Sequence, residues 1–285
     1  MRVLVAGGHG FIGRRGTAAV AAAGHDAIAA GRAELDGAAA AGADALVWAA
    51  GGRVADYDVA VEAQARTPVR ALASSGARTV VYLSSGEVYG IQDVPFGEDA
   101  PLLAVTPYAR AKVAGEAAVA EACAAAGARL FVLRPAVVYG PGQGGPMLVP
   151  ALTAALVAGR RFPMTPGAQT RDLVHVDDIA RLIARCLDAD AAPGTYNAAS
   201  GVEIAVLDVV DRVAAAVAAR TGVEVRALVE PGAIPYRAGD QMRYALDPTR
   251  ARAQLGWTTA IDLDTGLAGT VAAALVYETV LRTVS

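Results

Sequence analysis

Tyr108 and Lys112 stand four residues apart in Tyr108-Ala109-Arg110-Ala111-Lys112, a spacing that sets both side chains on one face of a helix. An ammonium beside a phenol lowers the phenol's pKa, so such a tyrosine can give or take an alcohol proton while hydride moves at the neighbouring carbon. Lys112 is the only lysine among the 25 basic residues. The bias toward Ala, Gly and Arg looks like that of a GC-rich genome that avoids lysine, so a position that keeps one calls for an ammonium rather than a guanidinium. Nine tyrosines in 285 residues give a single lysine only about a 3% chance of falling four places after one by accident. Packing is the competing reading of a helical tyrosine. Ser84 and Ser85 follow the apolar run that ends at Leu83, which sets at least one hydroxyl at the carboxyl edge of a sheet, where ligands bind. Ser85 is the candidate donor to a reacting oxygen; a plain turn is the alternative.

A second constellation lies near the N-terminus. Gly7-Gly8-His9-Gly10-Phe11-Ile12-Gly13 falls where a first strand meets a first helix, with glycines at G-x-x-G-x-x-G spacing. Without side chains in the way, a phosphate there meets backbone N–H groups and the positive end of the helix. The candidate dinucleotide contacts are therefore Gly7, Gly10, Phe11, Ile12 and Gly13, with Ala49 and Ala50 at the end of the third strand and Tyr108 and Lys112 at the reacting end. Where NAD binders carry an acidic residue after the second strand, this chain reads Ala29-Ala30-Gly31-Arg32. Arg32 is placed to pair with a 2′-phosphate, which favours NADP(H) and leaves NAD(H) as the alternative; a solvated surface arginine is the bland reading.

These groups need a scaffold. Strand-like runs at 2–6, 26–30, 44–50, 78–83 and 129–134 alternate with helical stretches, the longest of them from about Pro107 to Ala126, an order that predicts an α/β fold with a doubly wound, Rossmann-type parallel sheet. We divide the chain into a dinucleotide-binding core, 1–140, and a mixed substrate-binding lobe, 141–285, whose segments return to the core with no linker long enough to separate them.

The formal net charge is −3 and the basic residues are scattered, so there is no footprint for nucleic acid or an anionic membrane, and a small molecule is the expected partner. The longest uncharged stretch, 135–159, is broken by Pro141, Pro146 and Pro150 and cannot span a bilayer. Met1-Arg2 leads straight into the first strand, leaving no room for a signal peptide, and the expected location is cytoplasmic. Cys123, Cys186 and three scattered histidines offer no metal-ligand cluster, so both cysteines read as buried thiols and no metal is expected.

The segments 7–13, Ser84-Ser85-Gly86-Glu87-Val88-Tyr89-Gly90 and 108–112, in this order, resemble the extended short-chain dehydrogenases of the NAD-dependent epimerase/dehydratase family. The similarity continues through Leu133-Arg134-Pro135, Tyr139-Gly140-Pro141, Arg171-Asp172-Leu173-Val174-His175-Val176-Asp177-Asp178, Tyr196-Asn197 and Leu255-Gly256-Trp257, so it covers nearly the whole chain. The resemblance implies Tyr108 as acid/base, Lys112 as its electrostatic partner and ribose ligand, Ser85 as oxyanion-side donor, and Arg171 and Arg237 as arginines that face a nucleoside diphosphate in sugar-modifying members. An internal Arg171–Asp172 ion pair is the bland alternative. It also implies a homodimer through the alanine-rich helices.

Dehydrating members resemble one another in an Asp-Glu pair after the Ser or Thr; here it reads Gly86-Glu87, so the acid that expels water is missing. The leading expectation is an NADPH-dependent reductase of a nucleotide-linked 4-keto-6-deoxyhexose, with Glu87 as a secondary acid/base or orienting group. The rivals are an NAD-dependent nucleotide-sugar epimerase, a reductase of a non-sugar ketone in secondary metabolism, and a non-catalytic dinucleotide-binding regulator. Val137 and Ala63, where the resemblance expects asparagines, favour the non-sugar ketone.

Overall fold

The computed structural model describes residues 1–31, 35, 42–52, 55–237 and 239–284. They form two compact units, one made of Met1–Ala136, Val176–Ser200 and Leu246–Thr258, the other of Val137–His175, Gly201–Ala245 and Thr259–Ser285.

The first unit is built on six parallel strands. β1 (Arg2–Ala6), β2 (Asp26–Ala30), β3 (Ala45–Trp48), β4 (Thr79–Leu83), β5 (Arg129–Pro135) and the strand Gly194–Ala198 lie side by side, with β1 between β2 and β3 and the Gly194–Ala198 strand at the far edge beyond β5. Every residue of β3 and β4 is buried, which is why these strands read as continuous apolar runs instead of alternating ones. Each fully buried Val or Leu contributes about 1.5–3 kcal/mol, so runs such as Val80-Val81 and Leu4-Val5 anchor the layer on which the site is built. The fold is Rossmann-like, a parallel central sheet flanked by helices. The chain reverses direction across the sheet at β1 and β3, and the crevice outside their carboxyl ends is where such sheets take ligands.

Helix α1 (Phe11–Ala22) leaves the turn after β1 and packs on the helix Val176–Arg185, close enough at Gly16 that a Cβ would lie 3.2 Å from Ile183 Cδ1. Between β3 and β4 run α2 (Tyr57–Val61), a single π turn (Glu62–Arg66) and α3 (Thr67–Ser75), the last stopped by Gly76 in the left-handed region. Helix α4 (Pro107–Ala126) starts at Thr106, whose Oγ1 accepts from the Ala109 N–H at 3.0 Å, and ends at the left-handed Gly127. Its inner face carries Lys112, Gly115, Glu116, Val119 and Cys123, all buried, at a spacing of three and four.

The second unit is a mixed lobe. Val137–Tyr139 pairs in parallel with Leu173–His175, Phe162–Met164 in parallel with Val229–Pro231, and Thr170–Arg171 antiparallel with Ile204–Ala205. Its core gathers Leu152 and Leu156 from one helix, Val209, Val210 and Val213 from a second, and Leu267 and Val271 from a third.

Candidate active site

The glycine turn is shaped by contacts that no side chain would tolerate. Gly7 has φ +76°, and a Cβ on it would lie 2.7 Å from Ala50 Cα, so the end of β3 closes directly on the turn. A Cβ on Gly13 would lie 2.0 Å from the Gly7 carbonyl oxygen, which fixes how tightly α1 seats on the strand. Gly10 N–H donates to the Gly7 carbonyl at 2.9 Å and forms the start of α1, where no side chain caps the helix and no acidic residue stands in the first turn. The N–H groups of Phe11, Ile12 and Gly13 thus open this end of the helix, positive by its dipole, to an anion. Ala49, whose N–H donates to the Ala6 carbonyl at 2.9 Å, and Ala50 flank the turn, both half-buried. These features fit the diphosphate of a dinucleotide. Arg32 lies outside the described residues.

At the other end of the crevice, Tyr108 sits half-buried in the first turn of α4 and Lys112 is buried one turn on. Lys112 Nζ donates to the Leu83 carbonyl at 2.5 Å and lies 5.2 Å from the Tyr82 ring centre and 5.8 Å from that of Tyr108. Burial pushes the ammonium from its ordinary 10.5 down to about 7, while the Glu116 carboxylate pulls it back up. Two phenols therefore face one ammonium, and their surroundings separate them. Tyr82 is fully buried, its hydroxyl donates to the Gln64 carbonyl at 2.9 Å, and burial raises its pKa well above 10, with Glu116 and Tyr108 adding to the rise. Tyr108 is the phenol that solvent and ligand can reach.

The two serines divide. Ser84 is buried and donates to Glu116, while Ser85, half-buried, caps the short turn Gly86–Tyr89 by accepting from the Glu87 N–H at 3.2 Å. Since the cap uses an oxygen lone pair, the Ser85 O–H keeps its proton to donate. Glu87 follows, half-buried, beside it.

Glu116 went unremarked in the sequence, although it falls four residues after Lys112 and eight after Tyr108. It accepts from Ser84 Oγ and from Arg134 Nε at 3.0 Å and Nη2 at 2.6 Å. Arg134, itself buried, also donates through Nη1 to Tyr89 Oη and to the Glu98 carbonyl, each at 3.0 Å, and Tyr89 Oη donates to Asn197 Oδ1 at 2.7 Å. This chain of charge-assisted bonds ties α4, β5, the Ser85 turn and the Gly194–Ala198 strand together beneath the Tyr108–Lys112 pair.

In the second unit, half-buried Arg171 donates to the Thr170 carbonyl at 2.7 Å and the Gln241 carbonyl at 2.9 Å. Burial lowers its pKa, and Tyr244, Asp240 and Tyr236 partly offset that. Asp172 instead accepts from the Gly201 N–H at 3.0 Å. Arg171 lines a cavity of about 320 Å³ with Val137, Leu148, Met164 and Gln169. Arg237 is exposed, its N–H donating to Asp240 Oδ2 at 2.8 Å, so residues on either side of it act on Arg171. Ala63 is half-buried within the π turn.

Cys123 and Cys186 are free, buried thiols, both pushed up by burial, Cys123 to about 11. Among the described residues there is no group of three His, Cys, Asp or Glu side chains placed to hold a metal, and no helix is long and apolar enough to cross a membrane.

Residues 3–199 match the model of a family described as NAD dependent epimerase/dehydratase. A UDP-glucose 4-epimerase of Mycolicibacterium smegmatis is 36% identical over 203 residues, which are 69% of this chain and 62% of that protein. The chain thus spans about three fifths of the length of the first curated relatives it matches, 62% for a dTDP-glucose 4,6-dehydratase of Streptomyces griseus as well. Among solved structures, DesIV, a dTDP-glucose 4,6-dehydratase of Streptomyces venezuelae with NAD and TYD bound, superposes with a TM-score of 0.82 at 25% identity over 96% of both chains. RMD from Pseudomonas aeruginosa complexed with NADPH shares the fold, with a TM-score of 0.82 at 22% identity over 97% of this chain and 100% of that one.

Proposed function

The chain belongs to the NAD dependent epimerase/dehydratase family, and from that premise we propose that it is an oxidoreductase that works with a nicotinamide dinucleotide on a carbinol or ketone carbon of a nucleotide-linked sugar. The observation that carries this reading is the reachable Tyr108 phenol set beside a buried, carbonyl-anchored Lys112 ammonium at the ligand edge of the sheet.

The backbone N–H groups of Phe11, Ile12 and Gly13 would hold the cofactor's diphosphate, with Gly7 and Gly10 letting it approach and Ala49 and Ala50 against it. When bound, the nicotinamide supplies the carbon that gives or takes hydride. Tyr108 Oη donates the proton to the carbonyl oxygen in reduction and takes it back in oxidation; Lys112 favours the phenolate and so eases both directions. Ser85 O–H holds the same oxygen and stabilises charge that develops on it. Glu87 orients the sugar or serves as a secondary acid/base. Arg171 and Arg237 carry the permanent charge suited to a diphosphate.

Within this class we propose NADPH-dependent reduction of a 4-keto-6-deoxyhexose nucleotide. Gly86 removes the acid that dehydration needs, and Gly31-Arg32 in place of an acidic residue supports NADP. Epimerisation with a retained NAD is the second reading, favoured by the 36% identity to a UDP-glucose 4-epimerase.

One experiment separates them. Freshly purified protein is denatured and any released nucleotide identified by mass, and the emptied protein is titrated with NADPH and NADH. Stoichiometric NAD and interconversion of a UDP-hexose without net NADH would establish the epimerase; an empty protein that prefers NADPH and consumes it with a keto-sugar nucleotide would establish the reductase. Tyr108→Phe is expected to cut turnover at least 100-fold with dinucleotide affinity little changed; an unimpaired Tyr108→Phe enzyme would refute the catalytic assignment.

A further inference from the structure

After the strand Val229–Pro231, residues 232–240 cross the surface of the second unit as turns and irregular chain, and among the described ones Tyr236 alone is not exposed. A loop without a ladder or a core of its own keeps its place only through the bonds its inward groups make. Here those bonds run to one strip, 164–171. Ile234 N–H donates to the Met164 carbonyl at 3.1 Å, Thr170 N–H donates to the Met242 carbonyl at 2.8 Å, and Arg171 Nη1 donates to the Gln241 carbonyl at 2.9 Å.

Between these ends the Tyr236 phenol ties the loop down. Its oxygen accepts from the Ala168 N–H at 2.9 Å, and its proton goes to Gln169 Oε1 at 2.8 Å. Gln169 donates in turn through Nε2 to Thr165 Oγ1 at 3.0 Å, so its amide cannot turn over without losing both bonds. Met164, Thr165, Gln169 and Arg171 all line the cavity of about 320 Å³, so the strip that holds the loop is a wall of that cavity.

The residue after Tyr236 is Arg237, which closes a turn with Asp240. Arg237 N–H donates to Asp240 Oδ2 at 2.8 Å, Asp240 N–H donates to the Arg237 carbonyl at 3.1 Å, and Gly239 has φ +81°. Tyr236 and Asp240 both act electrostatically on Arg171, which places the turn near that guanidinium. An exposed arginine on a free loop must give up loop and rotamer freedom to bind an anion; one on a fixed loop gives up much less.

We propose that Tyr236 is a positioning residue, whose hydrogen bonds to Ala168 and Gln169 fix the loop carrying Arg237 beside Arg171 so that both arginines engage one nucleoside diphosphate. The inference rests on the nucleotide-sugar reading above.

The test is a binding cycle on the full chain. UDP, dTDP and GDP are titrated calorimetrically into the wild type, and the one bound most tightly is then titrated into Tyr236→Phe, Arg237→Met and the double variant. Tyr236→Phe keeps the ring and removes the hydroxyl. It is expected to weaken the Kd about fivefold, the effect of about one neutral hydrogen bond. In the Arg237→Met background the same substitution is expected to change the Kd less than twofold, because no guanidinium is left to position. A Tyr236→Phe affinity within twofold of wild type overturns the proposal. So does an equal loss in both backgrounds, because the effect then does not pass through Arg237. NADPH and NADH affinities are followed beside it; a loss there as large as that for the nucleoside diphosphate overturns the proposal, since the role is then general stability. Hydrogen exchange on the wild type needs no variant to fold: the Ala168 amide, which donates to the phenol, slows when the nucleoside diphosphate binds, and no change there overturns the proposal. A wild type that binds none of the three diphosphates instead refutes the nucleotide-sugar reading, and this inference with it.

Discussion

Replacing Glu116 by glutamine keeps the shape of the side chain and removes its charge. In the wild type the carboxylate accepts two guanidinium N–H bonds from Arg134, at 3.0 and 2.6 Å, and both side chains are almost wholly buried, 6% and 10% exposed. Breaking a buried pair at one partner leaves the other charge uncompensated and costs about 3–5 kcal/mol. The glutamine carbonyl still accepts one N–H, and Arg134 Nη1 keeps Tyr89 and the Glu98 carbonyl, so the loss falls at the lower end, about 3 kcal/mol. Urea denaturation of wild type, Glu116→Gln, Arg134→Met and the double variant Glu116→Gln/Arg134→Met measures it as a cycle. The double variant is expected to be more stable than either single one, since no charge is left unpaired. The same carboxylate is the one that pulls the Lys112 ammonium upward, so Glu116→Gln also moves the lysine's titration in the pH–rate profile below about 7. A Glu116→Gln protein within 1 kcal/mol of wild type, or losses that simply add in the double variant, would refute the assignment of Glu116 as the charge that holds Arg134.

Lys112 predicts a pH dependence of stability. Its folded value, about 7, lies below the unfolded value near 10.4, so the folded chain binds fewer protons between these limits and stability rises with pH across that window; the penalty is full below it. Lys112→Met should flatten that rise in urea melts and leave the unliganded protein more stable at pH 6, and an unchanged slope would show that the ammonium is hydrated. Gly13→Ala, whose Cβ would meet the Gly7 carbonyl oxygen at 2.0 Å, is expected to lose about 1–3 kcal/mol and most of its dinucleotide affinity, read by thermal unfolding and titration. Gly115→Ala, which drives a methyl to within 2.1 Å of Tyr82 Oη and 2.3 Å of the Gln64 carbonyl, should cost a similar amount in the same melts.

Much of the scaffold could be read from the sequence because its elements are locally determined. β4 and the 130–133 stretch of β5 are continuous apolar runs, α4 begins at a Thr-Pro and ends at a glycine, and the turn after β1 announces itself by glycines whose spacing the packing of α1 requires. Tyr108 and Lys112 were legible for the same reason, since their relation is one turn of one helix. What escaped is non-local. Glu116 finds its partners in Ser84 and Arg134, 32 and 18 residues away, and an acidic residue on an alanine-rich helix looks like a solvated one until the sheet covers it. The separation of the two serines likewise depends on which hydroxyl the end of β4 turns toward α4. Gln64 was hidden by its helix: a π turn breaks the 3.6-residue count on which any reading of helical faces relies, so its burial does not follow from spacing.

The bias of the chain against lysine gains a physical reason at Lys112. The ammonium is held within 2.5 Å of the Leu83 carbonyl, over the Tyr82 ring, in a space closed from behind by Gly115 against the Gln64 carbonyl and Tyr82 hydroxyl. A guanidinium is broader, planar and charged at every pH that the protein meets, so in this space it would be forced against the ring or back toward solvent with its full desolvation cost. An ammonium is compact, and it tolerates burial by letting its proton go near neutral pH. A dinucleotide whose phosphates reach toward this end of the crevice would raise the lysine's pKa again, so the ammonium proposed to assist Tyr108 would be charged most fully when cofactor is present. Arginine could offer neither the fit nor that coupling. On this argument Lys112→Arg should fold with its side chain displaced and bind cofactor, yet fail to lower the Tyr108 pKa; pH–rate profiles showing the tyrosine limb unmoved in Lys112→Arg would refute it.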